Sequence, residues 1–445
     1  MKTKHLSQRR LLLKLGLTAG VVGGLGWKQG IAQALSPNPS NSVGVPEAIF
    51  DAEDAAQLVL YMAKLAEAEG TFGVGGAIVD NRTGKVIKAM HNRVLQIVEV
   101  GEYAGKPYTF DPTAHGERQL VSWYFENAKR LKLPPPSQLT VVSSLDPCAM
   151  CAGSLITAGF NVGVVAYDYY AGINYDKSFD FKGLPPLTRR TLKNHFGYYA
   201  VSAEREYVGN HRSAFSDTSV TLKTANDCLE IFAQSADKIR EISQGSGLPP
   251  DQMQDPAYFS SGTQFIQQLK TNLPEAFSLK LKDYRRPDRD LYNYLRWLKS
   301  RTLRATNAVA FIDPFGNLIA ASADTFDISP ISTAFMNVVQ RYSLTRFNLI
   351  NNQQTTHLAR LGMTAPKYGT FVFLRAPTPD ETTTLKDLGA YGSTMEGPIP
   401  VTNPSNFLYF RNPQGGSING LLREISGLPP FYNQLVKISP QRSMS

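Results

Sequence analysis

Asp111-Pro112-Thr113-Ala114-His115-Gly116-Glu117 and Asp146-Pro147-Cys148-Ala149-Met150-Cys151 are the two stretches on which the reading of this chain turns. Each Asp-Pro pair predicts a helix start, with the carboxylate as cap and the proline preset for the first turn. His115 and Glu117 then open one helix, and Cys148 and Cys151 open the next. One imidazole and two thiolates suit zinc, and three protein ligands leave the fourth position open, which separates catalytic from structural zinc sites. A first helical turn also lowers a cysteine pKa, so the thiolates form more readily. Water in the open position would ionise near pH ~7, against ~9 on the aqueous ion. Glu117, two residues past His115, is too close along the chain to be a comfortable second ligand and is well placed to move a proton. A structural zinc with Cys228 as fourth ligand and a redox pair of Cys148 and Cys151 are the competing readings, and neither gives Glu117 a role.

Outward from these motifs, Ala55, Leu58, Val59, Met62 and Leu65 have helical spacing that ends at Gly70. Residues 75–79 and 85–89 read as a hairpin around Asp80-Asn81-Arg82-Thr83-Gly84, and 95–110 as a loop with Gly101, Gly105 and Pro107. Strands are expected over 138–143 and 162–167, with a helix over 148–158 closed by Gly159. This order suits a layered α/β domain. Residues 216–300 turn helical, and Cys228, Ile231, Phe232, Ile239 and Ile242 form one stripe that makes Cys228 a core residue. Residues 308–312, the turn Asp313-Pro314-Phe315-Gly316 and residues 317–321 repeat the first hairpin, which predicts a second copy.

Aligning Thr333-Ala334-Phe335-Met336-Asn337 with 113–117 puts Phe335 in place of the ligand and Asn337 in place of the proton carrier. Ala376-Pro377-Thr378-Pro379-Asp380-Glu381 stands where the cysteine motif would be, without a cysteine. The second copy is therefore expected to be degenerate and to pack on the first, giving a monomeric pseudo-dimer that binds one zinc.

Of the 445 residues, 42% are hydrophobic and 19% charged, a globular composition long enough for two domains. The net charge is +9, but residues 1–34 hold Lys2, Lys4, Arg9, Arg10, Lys14 and Lys28 and no acid, so the remainder carries +3. That balance lacks the basic footprint of a nucleic-acid binder and favours a small-molecule substrate. Residues 1–34 read as a signal peptide: basic residues, an uncharged stretch over 15–27 and Ala32-Gln33-Ala34 as cleavage site. The stretch is shorter than the ~20 apolar residues of a membrane helix, so no stable membrane anchor is expected. Gln8-Arg9-Arg10-Leu11-Leu12-Leu13-Lys14 resembles a twin-arginine motif, with an ordinary secretory signal as the alternative. The expected location is periplasmic or extracellular. Three cysteines are too few for a disulfide framework. The boundaries expected are 1–34 signal, 35–47 linker, 48–215 catalytic domain, 216–300 helical connection and 301–440 degenerate copy.

On the motifs at 111–117 and 147–151, residues 48 to about 180 resemble the cytidine deaminase-like superfamily, and most closely its branch of tRNA adenosine, guanine and deoxycytidylate deaminases. Gly116 stands where alanine is usual. The resemblance implies a three-layer fold with a mixed five-stranded sheet between helices. It implies zinc on His115, Cys148 and Cys151, with Glu117 as proton shuttle for attack by a zinc-bound hydroxide. It further implies that Asn92 contacts the sugar or base and that Val74 lines the base pocket; read from the residues alone, Asn92 is equally a turn residue. The expected function is a zinc-dependent hydrolytic deaminase of a nucleobase, nucleoside or related aminated heterocycle. The alternatives are a non-catalytic zinc-binding or ligand-binding partner protein and a tRNA-editing deaminase, the latter disfavoured by the export signal and weak charge. Twenty-three positions separate Asn92 from His115, an excess held by the 95–110 loop, which either covers the substrate or decorates the surface. In the second copy Asp324 aligns with Asn92 and no such loop follows. Tyr167-Asp168-Tyr169-Tyr170 reads as stacking groups or as half-buried packing.

Overall fold

Asp51 starts the first helix of the computed structural model, which describes residues 45–243, 247–395 and 405–440. The signal and all of the linker before Val45 lie outside the described residues. The Asp51 carboxylate accepts from the Asp54 N–H at 2.8 Å, and α1 runs over Ala52–Ala68 with its apolar stripe buried. There follow β1 (Gly75–Asp80), β2 (Val86–His91), β3 (Leu95–Ile97), β4 (Pro107–Thr109), α2 (Gly116–Leu131), β5 (Leu139–Leu145), α3 (Ala149–Ala158), β6 (Asn161–Ala166), α4 (Pro186–His195), β7 (Phe196–Tyr198), β8 (Ala200–Val201), β9 (Val208–Gly209), β10 (Ser219–Val220) and α5 (Leu222–Ser243). The strand order is β2-β1-β5-β6-β7-β9, with β1 antiparallel to both neighbours and β5, β6 and β7 parallel. β5 and β6 are buried along their whole length because α1 and α5 cover one face of the sheet and α2 and α3 the other. These are the three expected layers, with the short β9 added at one edge.

The second half repeats this plan. After α6 (Gln264–Asn272) come α7 (Arg289–Arg301), β11 (Ala308–Ile312), β12 (Leu318–Ala323), α8 (Ala334–Ile350), α9 (Thr356–Gly362), β13 (Thr370–Arg375), α10 (Thr382–Thr394), β14 (Phe407–Arg411), α11 (Ile418–Gly427), α12 (Pro430–Leu435) and β15 (Ile438–Pro440). The sheet order β12-β11-β13-β14-β15 has the same directions as β2-β1-β5-β6-β7. Both hairpins slip register at the same place, between Ile78 and Val79 and between Phe311 and Ile312. Gly84 and Gly316 both sit at positive φ, and a Cβ on either would strike a carbonyl, that of Ile49 or of Leu281. Those same residues pair back, Ile49 N–H to Gly84 and Leu281 N–H to Gly316. The repeat therefore reaches back to Leu281, ahead of the boundary at 301 read from the sequence, and α7 takes the place of α1. Likewise α5, within the stretch read as a connection, packs on α1 and the first sheet.

The two copies meet through α3 and α10. A Cβ on Gly389 would lie 2.1 Å from the Met150 nitrogen, so the backbones touch where a side chain would hold them apart. Thr157 and Thr382 hydroxyls bond at 2.8 Å, and the Asp380 carboxylate accepts from the Leu187 and Thr188 N–H groups in the first turn of α4. The 95–110 stretch is a small hairpin of β3 and β4 rather than an irregular loop. It braces the second copy: Glu99 N–H donates to Asn351 Oδ1 at 2.7 Å, Glu102 pairs with Arg360 at 2.8 Å, and Phe110 meets Phe347 edge-on. No described helix is long and apolar enough to cross a membrane.

Candidate metal centre

The residues that cap α2 and α3 are His115 and Cys148, both in extended backbone conformation. The capping role expected of Asp111 and Asp146 is corrected. Asp111 Oδ1 instead closes a local turn on the Thr113 N–H and hydroxyl, and its Oδ2 accepts from Gln340 of the second copy. Asp146 accepts from the Asn174 N–H at 2.7 Å and the Tyr198 hydroxyl at 2.8 Å. The ligating side chains thus stand at the helix heads themselves. The donor atoms of His115, Cys148 and Cys151 lie within 4.8 Å of one another, and His115 Nδ1 is 3.5 Å from Cys148 Sγ. Zinc bonds of ~2.0 Å to nitrogen and ~2.3 Å to sulfur at a tetrahedral angle would separate those atoms by about 3.5 Å. The donor set and its spacing fit the metal. Cys228, on α5, is buried and outside this cluster.

Burial alone would raise the Cys148 pKa, but hydrogen bonding from Cys151 and the charge and hydrogen bond of His115 overcome it and hold Cys148 well below the usual thiol range. Cys151 goes the other way, pushed well up by burial and by its bond to Cys148. Burial disfavours a charged His115, yet the Cys148 charge raises its pKa. Glu117 is buried, and burial followed by the Cys148 charge raises its pKa. Ser143 Oγ lies 2.9 Å from Glu117 Oε1 and 2.7 Å from the Leu145 carbonyl. One hydroxyl proton serves one of them; if it goes to Leu145, Ser143 accepts from a protonated Glu117. Glu117 Oε2 is buried too, and the Glu117 charge adds to the rise of the Cys151 and His115 pKa values, which places the carboxyl close to the donor cluster.

The family model described as cytidine and deoxycytidylate deaminase zinc-binding region matches residues 51–167. Over this segment the chain is similar to the cytidine and deoxycytidylate deaminases. A cytosine deaminase of Candida albicans is 28% identical over 111 residues, which are 25% of this chain and 63% of that protein. The chain thus spans less than two thirds of that curated relative. Among solved structures, a guanine deaminase from Nitrosomonas europaea is 17% identical, with 45% of this chain and 98% of that one covered and a TM-score of 0.27. A tRNA:A34 deaminase of the transfer-RNA wobble position is 21% identical, with 27% and 80% covered and a TM-score of 0.20.

In the deaminase-like domain, Asn92 and Val74 stand next to the ligands in the hydrogen-bond chain. The Asn92 N–H donates to the Val74 carbonyl at 3.0 Å, and Asn92 Oδ1 accepts from the Gly116 N–H at 2.7 Å. Asn92 therefore ties the end of β2 to the head of α2. Asn92→Ala is expected to cost about 1–2 kcal/mol of stability without any substrate, because the buried Gly116 N–H loses its acceptor. Chemical denaturation checks this, and an unchanged midpoint would show that Asn92 does not anchor the helix. Ser143, not singled out in the sequence, had a signal: two adjacent serines interrupt a mostly apolar strand just before the cysteine motif.

The second copy needs a register correction of two residues. Its helix α8 is capped by Thr333, and Asp324 Oδ1 accepts from the Ala334 N–H at 2.8 Å as Asn92 does from Gly116. Asn337 bonds the Ala323 carbonyl as Gln119 bonds that of His91. Thr333 thus takes the place of His115, and Phe335 that of Glu117, where the sequence alignment had Phe335 and Asn337. Sheet register sets Phe373 in the place of Ser143, and the Phe335 and Phe373 rings stack at 5.5 Å and 16°. A hydrogen-bonded carboxyl and hydroxyl in one copy are an aromatic stack in the other. Among the described residues, the group of His115, Cys148 and Cys151 is the one cluster suited to a metal.

Proposed function

We propose that this chain is a zinc-dependent hydrolytic deaminase acting on a planar aminated heterocycle of the nucleobase or nucleoside type. The observation that carries the reading is Glu117: a buried carboxyl of raised pKa, held on Ser143 close to the metal donors. A structural zinc or a redox thiol pair has no use for that group. His115, Cys148 and Cys151 hold the metal, which when bound brings the pKa of a coordinated water to ~7. Glu117 takes a proton from the attacking water and delivers it to the amine nitrogen, so the ring carbon gains oxygen, the carbon–nitrogen bond breaks and ammonia leaves. Ser143 keeps Oε1 in place while Oε2 faces the reaction. The second copy is a non-catalytic partner that buries the α3 face, and residues 1–34 direct export, by the twin-arginine motif at Arg9 and Arg10.

The test is ammonia release by zinc-loaded protein on cytosine, adenine, guanine, 2,6-diaminopurine and the corresponding nucleosides. One zinc per chain and turnover of at least one compound are expected. A folded protein with one zinc that turns over none would favour the non-catalytic ligand-binding reading.

A further inference from the structure

Positive charge is concentrated on one helix of the second copy and its flanks. Residues 285–304 hold Arg285, Arg286, Arg289, Arg296, Lys299, Arg301 and Arg304 against Asp288 and Asp290, a net +5. Residues 35–445 together carry only +3, so outside this segment they carry −2. A charge near balance over the whole is therefore unevenly placed. Helix α7 sets the geometry. Leu291 and Leu295 are buried against Ala310 and Val372, whereas the neighbouring Phe311 and Phe373 belong to the core shared with α8 and α10. Successive strand residues face opposite sides of a sheet. Helix α7 thus lies on the opposite face of the second sheet from α10, the helix that meets the first copy. With its leucines inward, α7 leaves Arg289, Arg296, Trp297 and Arg301 exposed, and Leu303 and Arg304 follow just past its end. Asp288 is held at the cap, where it accepts from the Leu291 N–H at 3.0 Å, and Arg286 pairs with Asp283 at 3.6 Å. Among the described residues Arg289, Arg296, Arg301 and Arg304 have no ion-pair partner.

We propose that this face of α7 docks on an anionic phospholipid bilayer, so that the second copy holds the protein peripherally at a membrane surface. The inference goes beyond the zinc reading and does not depend on it. Clustered cations gain from the negative potential of such a surface, and tryptophan set among them suits the headgroup region. A nucleic-acid strand carries similar phosphate charge but binds by stacking its bases on aromatic faces. Here guanidinium groups already lie over those faces: Arg296 and Arg411 over Tyr292 at 5.6 and 5.3 Å, and Arg301 over Trp297 at 5.8 Å. Trp297 and Leu303 are nonetheless 51% and 67% exposed, apolar groups that a bilayer interface accommodates. Because the docking face is opposite α10, the first copy and its metal cluster stay open to a soluble substrate.

Flotation with lipid vesicles tests this on the full chain. The reference protein carries glutamine at Lys2, Lys4, Arg9, Arg10, Lys14 and Lys28, so that charge-dependent binding cannot come from residues 1–34. It is expected to bind vesicles of phosphatidylcholine and phosphatidylglycerol in equal parts more tightly than vesicles of phosphatidylcholine alone, and salt should weaken the difference. Replacing Arg289, Arg296, Arg301 and Arg304 with glutamine is expected to lower affinity for the anionic vesicles about 100-fold or more, at about 5-fold for each cation withdrawn. The far-ultraviolet circular dichroism should not change. Glutamine at Arg82, Lys129, Arg130 and Lys132, exposed cations of the first copy, removes the same charge elsewhere and should leave the affinity near that of the reference. Tryptophan fluorescence should shift to the blue on binding, a shift lost in Trp297→Phe. No preference for the anionic vesicles, or equal losses in the two quadruple variants, would overturn the proposal. So would binding of a single-stranded oligonucleotide in place of the vesicles.

Discussion

Glu117→Gln is expected to lower turnover by about 10²- to 10⁴-fold on whichever compound the ammonia assay identifies, while the zinc content stays at one per chain. That range is what general acid–base catalysis by a positioned carboxyl typically contributes. The amide keeps the size of the side chain and an oxygen for the Ser143 contact at 2.9 Å, so neither helix α2 nor the ligands have reason to move. What it lacks is a site that takes up a proton from water and releases it to a leaving amine. The buried surroundings and the Cys148 charge raise the Glu117 pKa, as expected of a carboxyl that must take up a proton as well as release one. Metal content by atomic absorption and turnover measured on one preparation separate the two roles, since His115→Ala should lose metal and activity together. Full activity in Glu117→Gln would sink the proposed mechanism and return the metal to a structural role.

The cluster of His115, Cys148 and Cys151 was legible because its spacing is local. An imidazole at the head of one helix and two thiols three positions apart at the head of the next come together through a single helix turn each, so spacing along the chain is spacing in the cluster. The caps were not legible. Asp111 and Asp146 carry the right residue type, but each found a different partner, Thr113 and Gln340 for one and Asn174 and Tyr198 for the other. The α/β plan and the repeat could be read from the hairpins, whose turn residues recur. The register of the second motif could not, because the start of α8 is set by the bond from the Ala334 N–H to Asp324, and identical Thr-Ala pairs mislead a linear alignment by two positions. The 95–110 stretch looked like a loop since its strands are three residues each and take their order from helices of the other copy.

Gly389→Ala is expected to cost stability and zinc together, which follows from how closely the copies approach. The added Cβ would lie 2.1 Å from the Met150 nitrogen and 2.8 Å from the Ala149 carbonyl carbon. Both are backbone atoms in the first turn of α3, so no rotamer change relieves the clash and the helices must separate. Overpacking of a well-filled interior typically costs ~1–3 kcal/mol, and a backbone collision belongs at the upper end. Helix α3 cannot retreat freely, because Cys148 caps it and Cys151 lies in its first turn, both committed to the metal cluster. Displacing α3 therefore shifts two ligands against His115, whose helix α2 is held separately through Asn92. The apo protein should melt several degrees lower, and chelator competition should show weaker zinc binding. Gly262→Ala is the matched control, since its Cβ would meet only the Ser260 hydroxyl at 3.8 Å on an exposed loop. If the two alanine variants melt alike and bind zinc alike, α3 and α10 do not clamp the metal centre, and the second copy acts on it by some route other than this helix pair.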